Sequence, residues 1–429
     1  MMRTALRMLT GDTTKYLGII FGVTFASLLI AQQMSIFCGI MMLTTSQIRD
    51  VEGVDLWVMD RDVLSIDDYK PMPDTALYRV RSVPGVLWAV PFYKGVARAR
   101  LTMDPIKASQ HRGKTDTSDY DSVLGIRFPE KKSGNGATEL TIYQQVMLLG
   151  VDDATLVGAP QPEHMLFGSL NDLRKPDAIL IDKYSCQLLW KDEKDQLKTL
   201  DDYRRFLGRT IEMNDRRAVV VGICTASPNF QTLPIVYTTY SRAKQYVPPE
   251  RKLMPFILVK AEPDVAVPEL SASIAEHTAN LLKARTPDQF FWDTIWYYIR
   301  YTGIPMNFMM TVGLGFIVGT AIAGQTFYQF TLENLKQFGA LKAMGTSNGR
   351  ILSMILLQAM VVGPIGYSLG VGLAAGFGHV TRDDPSMAFY MPWQVLLITG
   401  VAVLLICLLS SLLSIRRVLV LEPAIVFRA

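Results

Sequence analysis

Four apolar runs decide what this chain can become. Leu17–Leu43, Ile304–Phe330, the glycine-rich Ile351–Phe377 and Trp393–Ile415 each reach the roughly 20 mostly apolar residues needed to cross a hydrocarbon core. No Asp, Glu, Lys, Arg or His lies well inside any of them. That absence argues against proton- or ion-coupled transport, which needs ionisable groups near the midplane. The first run is too long for a signal-peptide h-region of roughly 7–15 residues and ends without a small-x-small cleavage site, so it reads as an uncleaved anchor.

The stretch between the first and second runs has soluble composition. With 49% hydrophobic and 19% charged residues overall, the chain is too apolar for an ordinary soluble protein and too polar to be all membrane. The soluble stretch is long enough for one or two domains with real cores. Charge orients the whole. Arg3, Arg7 and Lys15 precede the first run; Lys336, Lys342 and Arg350 separate the second and third; Arg416, Arg417 and Arg428 follow the fourth. The short loop Gly378–Pro392 sets one Arg against Asp383 and Asp384. The positive-inside rule then makes both termini and the 331–350 loop cytoplasmic. The expected protein is an integral membrane α-helical chain of four transmembrane helices with a large extracytoplasmic α+β domain.

In order, residues 1–16 suit a cytoplasmic interfacial helix, or a plain topogenic flank. Residues 17–48 form the first transmembrane helix and a stalk, and 49–286 the outer domain. Residues 287–330 form a second stalk and span, with 331–350 a cytoplasmic loop, 351–378 the third span, 379–392 a short outer loop, 393–415 the fourth span and 416–429 the tail. Within the outer domain, Val54–Met59, Val86–Leu101, Leu140–Val151, Ile235–Thr239 and Phe256–Lys260 read as strands, with helical Asp74–Ser82 between the first two. Lys175–Trp190 reads as strand then helix. Arg209–Met213 and Ala218–Ile223 read as a hairpin turning at Asn214-Asp215. Residues 103–137 are a polar loop or insertion, and 191–207 a charged connector. Pro268–Ala284 has helical spacing. Thr286-Pro287-Asp288 is an N-terminal signal for a helix rich in aromatics (Phe290, Trp292, Trp296, Tyr298) that runs into the second span as an interfacial belt.

Small residues mark helix contacts. Gly18/Gly22, Gly315/Gly319, Gly366/Gly370 and Gly372/Gly376 have the G-x-x-x-G spacing that lets helices approach closely. Chemistry-bearing patterns are absent. The four histidines lack ligand spacing, and there is no Walker A, G-x-S-x-G or H-E-x-x-H sequence. The acid pairs Asp67/Asp68 and Asp201/Asp202 read as solvated faces, and basic residues are too scattered for nucleic acid. Nothing supports a catalytic site, a bound cofactor or a metal on this chain. Cys186 and Cys224 fall in the outer domain, where a disulfide is permitted; the alternative is that they pack as small hydrophobes.

The Thr331–Arg350 segment, TLENLKQFGALKAMGTSNGR, is too short to be a domain and lies between two spans, where a partner at the membrane surface can push on it. Its core Lys336–Gly345 resembles the loop motif R-x-x-E-[FIL]-[GA]-x-L-[KR]-A-[LIM]-G of the MacB/FtsX/LolC group of ABC transporter permeases, except that Gln337 replaces the usual acid. The tail Ile415–Ala424 is similar to the group's closing R-[RK]-[AV]-x-x-[LI]-x-P-x-[ED]-A, and the outer segments 219–243 and 256–270 resemble a MacB-like domain, with a flavour nearest the DevC-like exporters.

The resemblance implies a porter-type outer subdomain with an insertion. It implies a dimer with a second permease copy or paralogue, and two copies of a cytoplasmic ABC ATPase that carries ATP and Mg. Leu335, Phe338, Leu341 and Met344 would give that ATPase apolar contact and Lys336 and Lys342 polar contact, with Gly339, Ala343 and Gly345 completing the motif. Closure of the ATPases would lever stalks at 43–50 and 287–303. The work expected is export of a small molecule, peptide or lipid from the periplasmic side of a bacterial inner membrane, through a membrane-fusion adaptor and an outer-membrane channel. The alternatives are FtsX-like activation of a wall hydrolase or sensor without transport, lipoprotein extraction, and a membrane-anchored enzyme.

Overall fold

A computed structural model describes residues 13–102, 131–132, 138–139, 141–248, 254–382, 384 and 387–419. The expected interfacial helix up to residue 12, most of the 103–137 insertion and the tail motif beyond Leu419 lie outside the described residues. The chain divides into two compact units, one of Leu43–Arg300 and one of Met1–Met42 with Tyr301–Ala429.

The Leu43–Arg300 unit opens on helix α2 (Ser46–Asp50), set off by Thr45 from α1 (Thr13–Thr44). Strand β1 (Leu56–Asp60), helix α3 (Thr75–Arg81) and strand β2 (Val86–Thr102) follow. A two-stranded ladder of β3 (Lys131–Lys132) and β4 (Thr138–Glu139) precedes β5 (Thr141–Val151). Then come β6 (Met165–Phe167), β7 (Ala178–Asp182), α4 (Lys183–Leu189), β8 (Thr210–Met213), β9 (Arg216–Cys224), β10 (Ile235–Thr239), α5 (Tyr240–Ala243), β11 (Phe256–Ala261), α6 (Val267–His277), β12 (Leu282–Arg285) and α7 (Pro287–Tyr301). The charged connector forms two 3-10 helices, Lys191–Gln196 and Leu200–Phe206.

Two arrangements share one strand. The first half of β2 joins β1, β11 and β12 in the order β12-β1-β11-β2, every pair antiparallel, with α3 and α6 as the crossovers. That is a split βαβ fold. The second half of β2 pairs with β5, and pairing continues through β10, β7, β9 and β8 back to β2, so six strands close a ring. Alternate residues serve opposite faces. Val146, Leu148 and Val236 enter one core with Ala97, Ala99, Ile179 and Ile181, while Met147, Leu149, Ile235 and Tyr237 enter another. β7 and β10 are buried along their whole length, which is why they read as unbroken apolar runs.

The β8–β9 hairpin turns where the sequence places it. Asn214 and Asp215 sit at φ +49 and +60, the left-handed pair whose twist suits a two-residue hairpin. The helix expected over Pro268–Ala284 is shorter. Ala279 and Asn280 take φ of +53 and +59, the Asn280 amide donates back to the Ala275 carbonyl (2.8 Å), and the chain reverses into edge strand β12. At the start of α7, Thr286 and Gln289 exchange side-chain and backbone hydrogen bonds, both at 3.2 Å, in a capping box. Phe290 carries α7 into the core, where the Trp57 ring meets Phe92, Phe256 and Phe290 at 5.5, 5.5 and 5.6 Å. Cys186 and Cys224 are both buried and free, so they act as small core residues. Asp67 is not on a solvated face; it pairs with the buried Lys94.

The other unit holds α1, α8 (Ile304–Glu333), α10 (Asn348–Val380) and α11 (Trp393–Leu419), with the short α9 (Leu335–Ala343) between α8 and α10. All four long helices are long and apolar enough to cross a membrane. α7 does not run unbroken into the second span: it ends at Tyr301, and α8 begins after Thr302-Gly303.

Six of the eight glycines set at G-x-x-x-G spacing within the spans lie close against another helix. A methyl group at Gly18, Gly22, Gly315 or Gly319 would press on Thr326, Ile322, Leu29 or Ala26, so α1 and α8 meet along these positions. At Gly366 it would meet Val23, and at Gly370 Ser27 and the Thr24 carbonyl, which seats α10 on the same helix. At Gly372 and Gly376 a methyl group would meet nothing within 4 Å in this chain. Their spacing matches, but they lie on a side of α10 where no other described helix of this chain reaches. Hydrogen bonds add to the packing: Ser27 to the Tyr367 carbonyl (3.2 Å), Tyr367 to the Leu396 carbonyl (3.1 Å) and Ser410 to the Thr320 carbonyl (3.2 Å).

Candidate functional site: the short helix between two spans

Helix α9 is closed at its C-terminus by a glycine cap. Gly345 sits at φ +88, its amide donates to the Lys342 carbonyl (3.0 Å), and the Thr346 amide donates to the Leu341 carbonyl (3.0 Å). This is a Schellman motif, and it requires a residue that tolerates the left-handed region. The glycine closing the loop motif thus has a local cause, legible in the sequence as a Gly directly after a helical run.

Two faces of α9 do different work. Phe338 is fully buried and packs with Ile351 and Ile355, flanked by Leu335 and Leu352. Gly339 is buried beside it. The expectation that Phe338 reaches a partner is therefore corrected: its ring fixes α9 to the first turns of α10. The outward face carries Lys336, Gln337, Ala340, Ala343 and Met344, all exposed, with Leu341 and Lys342 half-buried. Met344 is 74% exposed, which leaves unburied a side chain that gains about 2 kcal/mol by burial. Gln337, where the motif has an acid, lies on this outward face.

A cleft of about 500 Å³ in the Leu43–Arg300 unit is bordered by Glu52, Leu156, Gln161, Ser169 and Arg174. Arg174 and Ser169 of its lining bond to neighbouring residues. Arg174 donates to Asn171 (2.7 Å) and to the Ala154 carbonyl (2.5 Å), and Ser169 and Asp172 cap the turn Leu170–Arg174. Among the described residues no group of three or more His, Cys, Asp or Glu gathers to hold a metal.

Four helices long and apolar enough to cross a membrane, an α+β unit inserted after the first, and a capped polar helix between the second and third give the arrangement of a polytopic membrane protein. Residues 292–423 match the family described as FtsX-like permease C-terminal, and the chain fits the MacB/FtsX group of ABC transporter permeases. An uncharacterized ABC transporter permease of Mycobacterium tuberculosis is 26% identical over 235 residues, covering 54% of this chain. The chain spans 61% of that relative's length. The putative hemin transport system permease protein HrtB of Staphylococcus haemolyticus is 29% identical over 123 residues, 28% of this chain and 33% of that one. Among solved structures, the extracellular domain of the noncanonic ABC-type transporter YknZ from Gram-positive bacteria aligns with a TM-score of 0.31 and 12% identity, over 54% of this chain and 99% of that one.

Proposed function

We propose that this chain is the membrane-spanning subunit of an ABC transporter, and that a cytoplasmic ATPase seats on the outward face of α9. The observation that carries the reading is a short helix, capped by Gly345 and anchored by Phe338, that keeps an apolar Met344 in solvent between two spans. A rigid helix with one face held and one face free suits a partner that pushes. On this reading two ATPase copies, carrying ATP and Mg, serve a dimer of permease chains, and closure of the ATPases moves the Leu43–Arg300 unit. Both termini are then cytoplasmic and that unit is periplasmic, in a bacterial inner membrane. The output is export of a small molecule, peptide or lipid, with an adaptor and outer-membrane channel as further partners. The energy is spent by the ATPase.

The test is capture of the ATPase from native membranes. Ala340→Glu and Met344→Glu, both on the free face, are expected to cut recovered ATPase by roughly tenfold or more. Phe338→Leu, which keeps the anchor apolar, should retain it. Full recovery with both glutamate variants would end the docking reading.

A further inference from the structure

The Leu43–Arg300 unit is entered by the chain at 42–43 and left at 300–301. Its first helix, α2, and its last, α7, are therefore the two connectors through which any motion carried along the chain must pass. One loop, residues 225–234 between β9 and β10, touches both. The Ser227 amide donates to Asp50 Oδ2 (2.8 Å) and the Ser227 hydroxyl to Asp50 Oδ1 (2.6 Å), so the carboxylate that ends α2 is held by two hydrogen bonds. Three residues on, the Phe230 ring stands edge-on to Tyr298 of α7 with centroids 5.4 Å apart.

Neither contact hangs on a slack loop. The Ala226 amide donates to Asp182 Oδ1 (3.0 Å), and the Ile235 amide to the Ser185 hydroxyl (2.6 Å), so both ends are fixed to the first turn of α4. The interior is braced by Asn229, which exchanges hydrogen bonds with Leu233 at 2.6 and 3.0 Å. Tyr298 is held in turn: its hydroxyl donates to Asp67 Oδ2 (2.8 Å), the carboxylate paired with buried Lys94, and the Thr294 hydroxyl one turn earlier accepts from the Ile66 amide (3.3 Å). A charge-assisted pair on one side and a ring contact on the other thus meet in ten residues of fixed backbone.

We propose that the 225–234 loop is a clasp that joins the two connectors into one mechanical element, with Asp50, Ser227, Phe230 and Tyr298 as its positioning residues. Its use in transmitting motion rests on the transporter reading above; the clasp itself does not. A clasp predicts crossed effects. Loosening one connector frees the loop, and a freed loop loosens the other.

The test is hydrogen–deuterium exchange on the full chain in lipid nanodiscs, without ATPase. Asp50→Ala, and the milder Ser227→Ala should the former fold poorly, are expected to speed exchange in 294–300 by roughly threefold or more. Phe230→Leu should do the same for 46–50. Local loosening with the far connector unchanged in both variants would overturn the clasp. Because no ATPase is present, this outcome is independent of the capture experiment. Crossed loosening in a chain that captures no ATPase would keep the clasp and remove only its role in transport.

Discussion

Lys94 is 97% removed from solvent in its strand, and its ammonium has two partners there: it pairs with Asp67 and donates to the Ile66 carbonyl (3.2 Å). Removing one partner of such a pair strands the other charge. Lys94→Met is therefore expected to lower stability by roughly 3 kcal/mol or more, read as a fall in the thermal midpoint of the full chain. An unchanged midpoint would mean the pair is not buried in solution. Burial and the Asp67 charge also hold the Tyr298 phenol well above its usual range, so it stays a donor at any physiological pH. Asp182 is the titrating group of interest. Burial lifts its carboxyl to about 6, against hydrogen bonds from Ala226 and Ser185 that pull it down. A native value above the unfolded one means the folded state holds the proton more tightly. The stabilisation is complete below about pH 4 and lost as pH rises through about 6. The stability of wild type minus that of Asp182→Asn should fall by on the order of 2 kcal/mol from pH 4 to 7, and a flat difference would contradict it. These residues were illegible in advance. An acid pair such as Asp67/Asp68 looks alike whether it faces water or a buried lysine, because the partner lies 27 positions away.

At the scale of elements, periodicity and turn chemistry carry far. The spans, the Asn214-Asp215 hairpin, the α7 start and most strands follow from apolar pattern and local hydrogen bonding. The failures share a cause: each depends on a neighbour supplied from elsewhere. β12 is four residues whose apolar positions continue the α6 pattern, and only its pairing with β1 makes it a strand. Phe338 turns inward because Ile351 and Ile355 wait on α10. G-x-x-x-G spacing says that a helix can be approached closely, without saying by what. Gly370 and Gly372 make the contrast testable. Gly370→Val, which would press on α1, should cost about 1–3 kcal/mol and lower the yield of folded protein. Gly372→Val should leave the detergent-solubilised monomer as stable as wild type. Equal losses in both would show that Gly372 is packed after all.

For the whole molecule, both large cores of the Leu43–Arg300 unit draw their residues from within it. Residues 43–300 expressed alone are therefore expected to give a soluble domain with one cooperative thermal transition; an aggregated product without a transition would count against that autonomy. The order of strands also sets a timetable. β11 belongs between β1 and β2, but the ribosome makes it only after all of β5 to β10. At 5–20 residues per second, the nascent sheet waits roughly 10–30 s with two facing edges open. During that interval any stray extended segment can occupy the slot, so this unit's vulnerability to misfolding belongs to its synthesis and ends when β11 arrives.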